Sequence, residues 1–119
     1  MQQYLLSMVQ PDGDGAVPPP DVLEGIMAEV GALRAELQAR GSWVFGNGLE
    51  GPSTARTVRF GDSGVTVSDG PFVEAKEHLG GITIIQVASR EEALEWARRY
   101  AEATTLPIEV RAFQGDVPG

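Results

Sequence analysis

The chain contains no cysteine, one lysine and one histidine. The missing cysteines exclude disulfides, thiolate metal sites and a cysteine nucleophile. A single histidine excludes a multi-histidine metal site within one chain. Positive charge is scarce: 9 Lys and Arg stand against 17 Asp and Glu, for a formal net charge of -8. That balance, with a pI near 4.5, works against nucleic-acid binding, which needs positive surface to neutralise phosphates, and against anionic membranes. No apolar run approaches the roughly 20 residues of a membrane span. The N-terminus lacks the basic start of a secretory signal, so cytoplasmic residence is the expectation. No P-loop, dinucleotide fingerprint, G-x-S-x-G or calcium-loop pattern occurs, and neither a metal nor a cofactor is expected. What is present is ordinary for a globule: 42% hydrophobic and 22% charged residues over 119 positions. These predict one domain over 1–113, followed by a frayed polar tail over 114–119.

Along the chain, Tyr4, Leu6 and Met8 alternate with Leu5, Ser7 and Val9, and both sets are largely apolar, which predicts a central strand. A Gly- and Pro-rich loop follows over 10–20. Asp21 reads as an N-cap with Glu24 completing a capping box. Leu23, Ile26, Met27, Val30, Leu33 and Leu37 then recur at helical spacing, with Gly41 as the terminator. Gly25 and Gly31 read as points of close packing on a sheet. Trp43-Val44-Phe45 is a short strand, and Thr57–Phe60 and Val65–Val67 flank a turn as a hairpin. Ile82–Val87 is β-branched almost throughout and suits a buried strand. Ser89, with Glu92, caps a second helix whose apolar side carries Ala93, Trp96, Ala97 and Tyr100. Residues 107–111 form the last strand. The predicted fold is α+β, a ferredoxin-like, mostly antiparallel sheet with two helices on one face. Its other face would be bare and apolar, which predicts a homodimer packed sheet on sheet.

The stretch Asp69-Gly70-Pro71-Phe72-Val73-Glu74-Ala75-Lys76-Glu77-His78-Leu79-Gly80-Gly81 resembles the signature of the YCII-related proteins of the DGPF subfamily. The likeness extends over nearly the whole chain, through Gly46-Asn47-Gly48-Leu49, Glu92–Ala97 and Ile108–Arg111. It implies a dimeric α+β barrel of ferredoxin-like protomers. It implies little about activity, because most of the family has no established function. Some DGPF proteins are encoded beside, or fused to, extracytoplasmic-function sigma factors. Some wider YCII relatives are regarded as enzymes with a proposed His–Asp pair, and one removes chloride from a chlorinated aromatic. The histidine of that pair lies in the first helix. Here residues 21–40 hold none and Val30 occupies the place, so the pair does not carry over. His78 stands where the signature usually has glutamine or a variable residue. Thr104-Thr105-Leu106-Pro107 replaces a more usual Gly-rich connection.

The only lysine and the only histidine both fall inside this signature. One reading makes Asp69, Lys76 and His78 catalytic. Imidazole is the usual proton carrier among side chains, so His78 would move the proton, a carboxylate such as Asp69 would orient its ring, and Lys76 would stabilise an anion. Glu74, Glu77, Gly80 and Gly81 would then contact a ligand, and Tyr4 would bring its hydroxyl to an inter-sheet cavity. The other reading makes all of these solvated loop residues at a sheet edge, with Gly80-Gly81 a turn. Gly70 and Pro71 shape a turn and Phe72 plugs the core. Two functions of different class follow. One is a small-molecule enzyme doing cofactor-free, lyase- or isomerase-like proton transfer. The other is a non-catalytic module that binds a small molecule or a protein, linked to a sigma factor.

Overall fold

The computed structural model describes residues 1–11, 18–73 and 76–115. Strand β1 (Gln2–Pro11) leads to helix α1 (Pro20–Ala39), strand β2 (Trp43–Gly48) and a single 3-10 turn (Pro52–Thr54). Strands β3 (Arg56–Gly61) and β4 (Gly64–Asp69) follow, then β5 (Glu77–Val87), helix α2 (Arg90–Thr104) and β6 (Ile108–Ala112). The main sheet is antiparallel in the order β2-β5-β1-β6. This is the α+β, ferredoxin-like arrangement that the sequence predicts.

Alternation along the strands decides which face is covered. Tyr4, Leu6, Ile85 and Val87 share one face and are buried with Leu33 and Leu37 of α1 and Ala93, Trp96, Ala97 and Tyr100 of α2. Leu5, Val9, Ile82 and Ile84 occupy the other face and stay only half-buried. Ser89 caps α2 as expected: its hydroxyl accepts from the Glu92 amide at 3.2 Å, while the Glu92 carboxylate accepts from Ala88 N at 3.3 Å. Across the helices, Arg99 donates to Glu36 at 2.7 Å and also stacks on Trp96.

Several expectations need correction. Helix α1 begins at Pro20, with Pro19 as an N-cap that supplies no side-chain bond, so Asp21 lies in the first turn instead of capping it. Proline at the start needs no amide partner and presets the helical φ, so a side-chain cap is dispensable. Gly25 and Gly31 face open space, not the sheet. Of the apolar stripe on α1, Leu33 and Leu37 are buried in the core and Val30 packs against its edge, while Leu23, Ile26 and Met27 are not part of it. The N-terminal half of the helix stands off the sheet. Tyr4 lies in the helix-side core, so its hydroxyl does not serve the bare face. Gly80 and Gly81 sit inside β5 and form no turn. Most of the loop predicted over 10–20, and most of the tail, fall outside the described residues.

The hairpin is the other departure. β3 and β4 pair only with each other. Asp69, Gly70 and Pro71 clasp its base. Arg56 pairs with Asp69 at 3.1 Å, Gly70 takes a φ of +94° while donating to Ala55 O, and Thr57 donates to Gly70 O. Phe72 is 72% exposed and lies under the Arg59 guanidinium, so it does not plug the core. The projecting arm explains the shape: 49 × 41 × 18 Å, with a radius of gyration of 16.4 Å. A compact chain of this length would have about 13.5 Å.

Candidate functional site

The gap between the first half of α1 and the sheet forms a cavity of about 560 Å³. Its roof is the N-terminal part of the α1 stripe: Leu23, Ile26, Met27 and Val30, then Arg34. Its floor is the far half of β1 and β5, with Met8, Gln10, Gly80, Gly81 and Thr83. Trp43 and Gly46 of β2 close one side, and Tyr100 and Thr104 of α2, with Thr105, close the other. This volume lies in the ordinary range for small-molecule pockets, which are mostly apolar with a few polar groups.

Glycine shapes two of these walls. A Cβ on Gly46 would lie 2.5 Å from the Trp43 ring and 3.2 Å from Thr83 Oγ1, so its absence lets the indole lie against the strand. Arg34 then covers the indole from the helix side, 4.9 Å from the ring centroid. In β5, Gly80 is the extra residue of a bulge, since Met8 pairs with Gly81 but Val9 with Leu79. A Cβ on Gly80 would collide with the Gln10 side chain.

The polar groups are few. The Tyr100 hydroxyl is buried, on a residue 1% exposed, and has no hydrogen-bond partner among the described residues. Burial pushes its pKa above the usual tyrosine range. The nearby Thr83 hydroxyl and the Arg34 and Arg99 charges offset this only in part, and Thr83 does not reach hydrogen-bond geometry with it. Tyr100 is therefore a protonated donor at neutral pH. A buried donor left unpaired costs about 1–3 kcal/mol, so such groups call for a physical reason. Thr104 is satisfied, donating to Tyr100 O at 2.7 Å.

The residues singled out in the sequence scatter around this cavity. Gly80 and Gly81 line it. His78 pairs with Gln10 across the ladder, and its Nδ1 is buried without a partner among the described residues. Lys76 and Glu77 are exposed. Asp69 is at the hairpin base with Arg56, and Glu74 lies outside the described residues. Among the described residues no hydrogen bond or ion pair joins Asp69, Lys76 and His78. Tyr4, Asp69, Lys76 and His78 do not line the cavity. Sequence reasoning missed Arg34, Trp43, Thr83 and Tyr100. One signal was available: Arg34 follows Val30 by four residues and so interrupts the apolar stripe of α1 with a charge. Tyr100 offered none, because a tyrosine on the apolar side of a helix reads as core.

The chain is thus a two-layer α+β fold with a pocket between helix and sheet. Residues 4–112 match the YCII-related domain, and the chain belongs to that family. An uncharacterized protein of Rhizobium meliloti (strain 1021) is 42% identical over 71 residues, which cover 57% of each chain. The chain thus spans little more than half the length of that relative. Val30 faces the cavity. No helix among the described residues is long and apolar enough to cross a membrane.

Proposed function

We propose that this protein binds a small organic molecule in the cavity beneath α1 and transfers a proton there without a cofactor, as a lyase or isomerase would. The unpartnered Tyr100 hydroxyl carries this reading, because a ligand oxygen is the partner it lacks. Tyr100 would donate to that oxygen as charge develops on it, with Thr83 beside it. Asp69, Lys76 and His78 stand away from this chemistry, with His78 the nearest by register. The sigma-factor-linked module draws on the resemblance alone and on no feature of the cavity. A thermal-shift screen of small organic molecules tests the reading with wild type and Val30→Trp, which fills the cavity from its roof. Hits should vanish in Val30→Trp, and turnover of any hit should drop in Tyr100→Phe. Hits that persist in Val30→Trp would place binding elsewhere.

We also infer that the protein works as a pair of copies. Val58, Phe60, Val65 and Val67 lie on one face of the hairpin, and Val58 pairs with Val67 and Phe60 with Val65. All four are 65–87% exposed. They leave on the order of 400 Å² bare, the size of the largest apolar patch on a typical monomer, which is often functional. Two such arms, added to two half-bare sheet faces, supply the roughly 1,600 Å² of a standard interface. Light scattering should give twice the chain mass of 12.7 kDa. The single-chain mass at micromolar concentration would overturn the pairing.

A further inference from the structure

The charge of the cavity runs opposite to that of the chain. The protein carries -8, yet among the described residues no Asp or Glu lines the cavity, and Arg34 is the one charged residue that does. The other arginines are mostly engaged with acids: Arg40 and Arg99 with Glu36, Arg56 with Asp69, Arg98 with Glu95 and Glu102, and Arg111 with Glu109. Arg34 forms no ion pair or hydrogen bond with the described residues. Its guanidinium lies instead over the face of Trp43, 4.9 Å from the ring centroid, a contact that uses the flat face of the group and not its N–H donors. An arginine positioned in this way presents two parallel donors, the geometry that suits a carboxylate.

We propose that the ligand is an organic acid with a flat apolar body: its carboxylate meets Arg34, and a second oxygen accepts from Tyr100. This rests on the reading of the cavity as the ligand site and names the class that site selects. The body would lie among Trp43, Met8, Met27 and Ile26, where thioethers and an indole suit a planar ring. Acidic side chains elsewhere on the surface would repel such an anion, so the cavity is the place where it gains a positive partner. Specificity then comes from charge, and the apolar body supplies affinity.

The probes are 6-hydroxy-2-naphthoate, whose ring hydroxyl supplies the second oxygen, and its neutral isostere 6-hydroxy-2-naphthamide, titrated by calorimetry into wild type, Arg34→Gln, Tyr100→Phe and Val30→Trp. Arg34 is exposed, so its replacement does not threaten folding. Naphthoate should bind wild type about tenfold more tightly than the amide, the usual scale of one charge-assisted contact. Arg34→Gln should bring the two to parity by weakening the acid alone, and added salt should do the same. Tyr100→Phe should weaken both, because each probe offers an oxygen. Equal binding of acid and amide to wild type, both lost in Val30→Trp, would overturn the ligand class and leave the site standing. Binding that survives Val30→Trp, or no binding of either probe, would overturn the site along with the class.

Discussion

The cavity under α1 and the hairpin arm both present apolar surface that the chain's own side chains do not cover. They differ in shape and in polar content. The cavity is concave, is walled by α1, α2 and three strands, and ends on a buried hydroxyl and an arginine. The arm is a thin ribbon whose apolar face carries Val58, Phe60, Val65 and Val67 beyond the Arg56–Asp69 pair at its base, and whose other face carries Thr57, Arg59, Thr66 and Ser68. A concave apolar site with a few fixed polar atoms recognises a small molecule by its functional groups. A bare ribbon face offers area without direction, which is what another protein surface needs. The comparison teaches that exposed hydrophobic residues in one small chain can serve two kinds of recognition, and that an unpaired polar atom tells them apart.

The contrast can be broken at several points, from the strongest effect to the weakest. Leu37 is fully buried where α1 does reach the core, and Leu37→Ala should lower unfolding free energy by about 3 kcal/mol. Urea denaturation reads this, and a change below about 1 kcal/mol would mean that α1 is not anchored there. On the arm, Phe60→Asp should weaken pairing by about 2 kcal/mol, the scale of an interface hot spot, and shift light scattering toward the single-chain mass. It should leave naphthoate binding unchanged, and a parallel loss there would merge the two regions into one. Tyr100→Phe removes an unsatisfied buried hydroxyl, so it should stabilise the ligand-free protein by about 1 kcal/mol while weakening binding. Destabilisation instead would show that the hydroxyl has a partner within the fold.

Thr105 ends α2 with a φ of +63°, the one described non-glycine residue in left-handed conformation. Thr105→Gly should raise the thermal midpoint by the equivalent of about 0.5 kcal/mol, relief of strain outweighing the entropy of a freer unfolded chain. The smallest effect is pH-dependent. Hydrogen bonds from Arg99 to Glu36 and from Arg98 to Glu95 hold both carboxyls below the ordinary value of 4.5. A depressed carboxyl stabilises the folded state fully above its unfolded pKa, and that contribution is lost as pH falls through the folded one. Stability should therefore decline as acid is added below 4.5, and Glu36→Gln should flatten part of the decline. Both groups are exposed, so the change is small and screened by salt.

Local signals carried most of the fold. The alternation in β1, the β-branched run of β5 and the Ser89–Glu92 cap each act over a few residues, and all appear in the structure. The misreadings share another cause. Periodicity shows that Leu23, Ile26, Met27 and Val30 lie on one face of α1, but not what that face meets. Here it meets a cavity, because the helix diverges from the sheet. The Asp69–Phe72 signature likewise marks a turn without showing that the hairpin it closes stands clear of the main sheet. The site was legible only through its glycines. Gly80 and Gly81 read as ligand contacts in one of the two readings of the signature, whereas Trp43, Thr83 and Tyr100 come together from β2, β5 and α2. Their juxtaposition is a product of topology, which no short window of sequence contains.

The molecule measures 18 Å in its thinnest direction. Strand β5 turns Thr83 toward the cavity and the next residue, Ile84, toward the uncovered face. Adjacent residues joined by one peptide bond thus belong to two different surfaces. A displacement of Thr83 by a ligand reaches Ile84 with no intervening packing to absorb it, and pressure on Ile84 reaches Thr83 the same way. Any energetic coupling between occupancy of the cavity and coverage of the sheet is reciprocal by thermodynamic necessity, and in this protein the shortest path for it is a single residue long.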